Sequence, residues 1–132
     1  MSDKITISLK DIKNELEDIE NYVNSLYNPL SKSLCRIELI PKSQFHKYYK
    51  QIHIVKRELE DLSNRLYQIK SYILENFDIH DDNVSSILTN VRILHNLIKV
   101  YYSNLDFYVS RLKHIEETTT IEDFLFVPGE IP

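Results

Sequence analysis

The sequence predicts an all-α protein: an elongated, antiparallel three-helix coiled-coil bundle with a short C-terminal tail. Three stretches carry that expectation, because each repeats apolar residues at alternating steps of three and four. The first is Leu9, Ile12, Leu16, Ile19, Val23, Leu26, Leu30, and the second is Phe45, Tyr48, Ile52, Val55, Leu59, Leu62, Leu66, Ile69, Ile73. The third is Val84, Ile87, Val91, Leu94, Ile98, Tyr101, Leu105, Tyr108, Leu112, Ile115. A spacing of this kind lines one face of a helix, and a strand, whose side chains alternate, cannot use it. Sustained over three to four heptads, it marks helices packed along a continuous seam.

The elements follow in order. Ser8 is the expected N-cap of the first helix, with Asp11 placed as in a capping box and Ile7 able to staple onto Ile12. Asn28-Pro29 interrupts that helix, since proline removes a backbone donor and crowds the carbonyl four residues back. Leu30, Leu34 and Ile37 keep the helical spacing, so a kinked helix over about 8–39 is expected rather than a loop. Ile40-Pro41-Lys42-Ser43 reads as a turn, with Ser43 capping a second helix over about 43–77. Asp78-Ile79-His80-Asp81-Asp82 is the next turn, and Asp81 or Asp82 caps a third helix over about 82–117. At 1.5 Å per residue the second and third helices are each about 50 Å long. Short turns force neighbours to run antiparallel. Thr118-Thr119-Thr120 breaks the pattern, so residues 118–132 form a tail with one further helical turn before Pro128-Gly129. Residues 1–117 are thus read as one domain.

Composition narrows the chemistry. In 132 residues there is a single glycine and no alanine, so helices must pack through large Leu, Ile and Tyr side chains rather than by close backbone approach. A net charge of −4 is not that of a generic nucleic-acid binder. One cysteine, Cys35, permits no internal disulfide and fits a reducing compartment. The N-terminal MSDKITISLK lacks the apolar stretch of a secretory signal, and no run approaches the length of a membrane span. An intracellular protein, cytoplasmic or nuclear, is expected.

No catalytic, cofactor or metal motif stands out. His46, His53, His80, His95 and His114 include no pair four residues apart of the sort that binds metal on a helix. Acidic pairs such as Glu15/Asp18 and Glu116/Glu117 fall on solvated helix faces rather than in a pocket able to shift a pKa. The only glycine, Gly129, cannot build a phosphate-cradling loop. A non-enzymatic protein without cofactors is the expectation.

Four features point toward partners. The third helix carries a second apolar line, Ile93, Leu97, Val100 and Phe107, beside its main seam. A helix apolar on two sides needs cover on two sides, from the first two helices or from another chain. The tail carries Phe124-Leu125-Phe126-Val127, which would dock in cis or in trans. Tyr49, Tyr67, Tyr72 and Tyr102 flank the seams, at a core edge or an interface. Finally, Lys32, Arg36, Lys42, Lys47, Lys50, Lys56 and Arg57, opposed only by Glu38, gather at one pole of an up-down-up bundle. The opposite pole collects Asp11, Glu15, Glu17, Asp18, Glu75, Asp78, Asp81 and Asp82. The basic pole is either neutralised by the acidic tail (Glu116, Glu117, Glu122, Asp123, Glu130) or offered to an anionic partner.

Three heptad helices joined by short turns, with a Phe-containing tail, resemble the small helical subunits of kinetochore and spindle assemblies. The spindle-and-kinetochore-associated complex offers the nearest likeness, over residues 8–126 and as pattern only. What the resemblance implies is a structural subunit that associates with other helical chains, homo- or hetero-oligomeric. Two other readings stand beside it: an adaptor holding nucleic acid or an acidic surface at the basic pole, and a monomeric bundle of a viral kind that binds a partner helix in a groove.

Overall fold

The computed structural model describes residues 7–125, with side chains over 7–118. Three helices make the fold: α1, Leu9–Leu34; α2, Phe45–Asn76; and α3, Asp82–Leu125. Two short 3-10 turns, Ile37–Leu39 and Lys42–Gln44, lie between α1 and α2.

Contacts across the helices fix their directions. From Glu15 to Tyr22, α1 advances seven residues while its partners on α2 retreat seven, from Arg65 to Glu58. Likewise Lys56 meets Asp106 and Glu60 meets Tyr102, so α2 and α3 also run antiparallel. Asn24 with Tyr101, Tyr27 with Asn104, and Ser31 with Tyr108 are each 77 residues apart, so α1 and α3 run parallel in one register. The bundle is up-down-up.

The core follows the seams. Every apolar residue of the three repeats is buried or half-buried. Val23, Leu59, Leu66, Ile73, Leu105 and Leu112 are wholly enclosed. Tyr27, outside the sequence repeat, joins them at 5% exposure. No polar or charged residue is buried among the described residues.

Several boundaries differ from the sequence expectation, each for a local reason. Helix α1 continues through Pro29 and stops at Leu34 rather than near residue 39. The missing proline donor leaves only the carbonyl of Ser25 without its helical partner, and Ser25 is exposed to water. Leu30 and Leu34, buried on the far side of the proline, hold the helix together. Ile37 is buried too, but from a 3-10 turn entered at Arg36, whose φ of −111° and ψ of 48° leave the helical region.

Ser43 does not cap α2. It lies inside the Lys42–Gln44 turn, whose helical curvature feeds directly into α2; Gln44 takes the cap position without a side-chain bond. Asp81 is the cap of α3, its Oδ1 accepting from the backbone N–H of Asn83 at 2.8 Å and Val84 at 3.4 Å. Ser8 caps α1 as expected, accepting from the Asp11 N–H at 3.1 Å.

Helix α3 does not end near Glu117 but runs on to Leu125. Threonine is a modest helix former, and neither proline nor glycine occurs between Glu117 and Pro128. At 44 residues α3 is about 66 Å long, against about 48 Å for the 32 residues of α2. It therefore outreaches its neighbour by some three turns. No helix among the described residues is long and apolar enough to cross a membrane.

Candidate functional site

The second apolar line of α3 is not absorbed by the bundle. Ile93, Val100 and Phe107 are 57%, 54% and 61% exposed, and only Leu97 is half-buried. Of the two covers open to this line, α1 and α2 do not supply one for Ile93, Val100 and Phe107. Both do pack on α3, but along its main seam, and a seven-residue repeat one position before Leu94, Tyr101 and Tyr108 turns outward. Ile93 and Leu97 border a shallow groove of about 260 Å³, whose far wall is Lys13, Leu16, Glu17 and Glu20 of α1. The Phe107 and Tyr108 rings meet edge to face, centroids 6.1 Å apart. Of the two tail rings, Phe124 falls on the last turn of α3, where no side chain is described, and Phe126 lies outside the described residues.

The cations assigned to the basic pole differ in their surroundings. Lys56 pairs with Asp106 and sits 4.7 Å from the centre of the Tyr102 ring. That pairing holds the ammonium charged and raises its pKa. Arg111 meets Glu38 at 3.3 Å. Glu116, one of the acids expected to fold back on this pole, accepts the Tyr49 hydroxyl at 3.2 Å. Burial and that carboxylate push the Tyr49 phenol up to about 12. Glu122 and Asp123 carry no described side chains, and Glu130 lies outside the described residues. Lys42 is exposed and lines a cleft with Phe45, Tyr49 and Glu116. Lys32, Arg36, Lys47, Lys50 and Arg57 are exposed and make no ion pair with the described residues.

The flanking tyrosines split. Tyr49, Tyr72 and Tyr102 are half-buried and spend their hydroxyls inside the chain, Tyr72 accepting from the Ile7 N–H at 2.9 Å and Tyr102 donating to Glu60 at 2.7 Å. Tyr67 alone is exposed, its ring tilted against His95 with centroids 4.3 Å apart.

A second cationic group escaped the sequence reading. A cleft of about 410 Å³ between α2 and α3 is lined by Lys70, Arg92 and Lys99, by Tyr67 and His95, and by an apolar floor that includes Leu88. Arg92 and Lys99 stand one heptad apart on α3, and the α2–α3 register brings Lys70 to them: fourteen residues on from Lys56 is Lys70, and fourteen back from Asp106 is Arg92. Among the described residues no three His, Cys, Asp or Glu side chains gather as a metal site.

Compared with protein-family models, curated proteins and solved structures, the chain matches none.

Proposed function

We propose that this chain is a non-enzymatic structural subunit that assembles with other helical chains through a coiled-coil seam on the outer face of α3. The supporting observation is the exposed heptad line of Ile93, Val100 and Phe107, joined by Leu97. Three large apolar side chains in one row, each more than half in water, are a surface that association would bury. Burying a side chain of this size from full exposure contributes about 1.5–3 kcal/mol, so this line adds a favourable increment to an interface in which partner helices supply complementary knobs. The groove beside α1 gives a partner helix a second wall. Membership in an assembly of the kinetochore or spindle kind belongs to the same proposal and shares its test.

That test compares the tagged wild-type protein with the double variant Val100→Glu/Phe107→Glu, both purified from the source cell. Helical chains that co-purify with the wild type and are lost from a still-helical variant support the reading and identify the assembly. Identical partner sets, or none for either protein, would refute it.

A further inference from the structure

Beyond helical assembly, we infer that the α2–α3 cleft is a binding site for a small organic phosphate, a phosphate monoester carried on an apolar or aromatic body. Three cationic side chains line it, Lys70 from α2 and Arg92 and Lys99 from α3, and no acidic residue does. All three are exposed, and none makes an ion pair with the described residues. In a chain of net charge −4, three cations facing one cavity without a counter-charge mark a place where an anion is favoured. Lys56, Arg65 and Arg111, by contrast, each have an acid in reach.

The remaining lining narrows the ligand class. Leu74, Leu88 and Val91 supply apolar wall, while the Ser85 hydroxyl and the Asn96 amide add neutral donors. A bare phosphate would leave the apolar wall in water, and a purely apolar molecule would leave three charges unanswered. A monoester carries close to two negative charges at neutral pH, whereas a carboxylate carries one. Arg92 offers the planar fork that grips phosphate oxygens in pairs, and the two lysines act as point charges beside it. The volume of about 410 Å³ is that of a small-molecule site, within the usual range of about 300–1,000 Å³.

His95 lies at the centre of this charge and reports on it. Its Nδ1 is 3.4 Å from the Ser63 hydroxyl, while its Nε2 is buried with no hydrogen-bond partner. Burial lowers the imidazole pKa, and the nearby charges of Lys99 and Lys70 lower it further. A dianion between those lysines offsets their repulsion and sits beside the imidazolium, so the expected direction on binding is a raised His95 pKa.

The experiment titrates isotope-labelled protein with 1-naphthyl phosphate, inorganic phosphate and 1-naphthol, following amide and imidazole resonances. The expected result is saturable shifts at Tyr67, Leu88 and His95 with the naphthyl phosphate, an upward move of the His95 pKa, and at least tenfold weaker binding of the other two probes. Lys70→Gln/Lys99→Gln should weaken naphthyl phosphate at least tenfold, whereas Lys47→Gln/Lys50→Gln at the basic pole should not. Should the cleft variant lose its native amide spectrum, the wild-type shift map and the His95 pKa decide by themselves. Shifts confined to the basic pole, no saturation, or tighter binding at the same resonances by an acidic peptide would overturn the inference. The last outcome would make the cleft a protein-docking surface. None of these readouts depends on partner assembly, so the phosphate site and the α3 interface stand or fall separately.

Discussion

Tyr27 of α1 and Tyr101 of α3 stack ring on ring, their centroids 3.8 Å apart and their planes 5° from parallel. Each also spends its hydroxyl across the same interface. The Tyr101 O–H donates to Asn24 Oδ1 at 2.7 Å, and the Tyr27 oxygen accepts from the Asn104 amide at 2.9 Å. The pair thus combines apolar burial with two directional bonds that form only when α1 and α3 are in register. Tyr101→Phe keeps the ring and removes one bond, so it should cost about 1 kcal/mol in urea unfolding. A double-mutant cycle of Tyr27→Leu and Tyr101→Leu should show a coupling of about 0.5–1.5 kcal/mol beyond the single effects. Strict additivity would mean the stack contributes nothing of its own.

The two apolar lines of α3 should respond oppositely to substitution. Leu105 is wholly enclosed, so Leu105→Ala should lower stability by about 2–5 kcal/mol through lost contacts and a residual cavity. Val100→Glu and Phe107→Glu, on the exposed line, should change monomer stability by about 0.5 kcal/mol or less. Thermal unfolding followed by circular dichroism separates the cases, and equal losses at both lines would show that the outer one is core.

Within the basic pole, Lys56 should stand apart. Lys47→Glu and Lys50→Glu replace exposed side chains without an ion pair and should leave folding stability within about 0.5 kcal/mol. Lys56→Glu breaks the Asp106 pair and the contact with the Tyr102 ring, and sets two carboxylates together. It should cost about 1 kcal/mol, more at low salt than at high salt. A uniform response from all three lysines would contradict the pairing seen at Asp106.

Alkaline stability should carry the mark of Tyr49. Its phenol loses a proton near pH 10 when unfolded but only near 12 when folded. Between those values the native state binds the extra proton, so stability falls as pH rises through the window and is fully present below it. Tyr49→Phe should therefore flatten part of the decline between about pH 10 and 12 in denaturant titrations. An unchanged slope would show that burial and Glu116 do not raise the phenol.

The seams of all three helices were readable because they rest on local spacing, and the buried set follows them residue by residue. The helix ends were less readable. Pro29 has the sequence mark of a breaker, yet burial of Leu30 and Leu34 outweighs one lost bond; the three threonines have the mark of a stop, yet nothing after Glu117 forbids another turn. Ser43 failed as a cap because a 3-10 turn delivers the chain to α2 already curved. The exposed line on α3 was visible as a pattern, but its exposure depended on where α1 and α2 pack. Arg92 and Lys99 are a heptad pair on α3, but their meeting with Lys70 had no linear signature. It required the α2–α3 register, which no single helix encodes.

A core of apolar and tyrosine side chains, with no charged residue buried among the described residues, has a consequence for the order in which the chain assembles. Apolar side chains in repeating heptads bury nearly as much area after a slide of seven residues, so the core alone scarcely penalises misalignment. Between α2 and α3 the five-residue turn from Phe77 to Asp81 leaves no room for such a slide. The ten residues from Cys35 to Gln44 are long enough for α1 to dock about 10 Å too high or too low. Its final position rests on rim partners: Glu15 with Arg65, Asn24 with Tyr101, Tyr27 with Asn104 and Ser31 with Tyr108. The α2–α3 hairpin should therefore form first, and α1 should search along it until those four contacts close together.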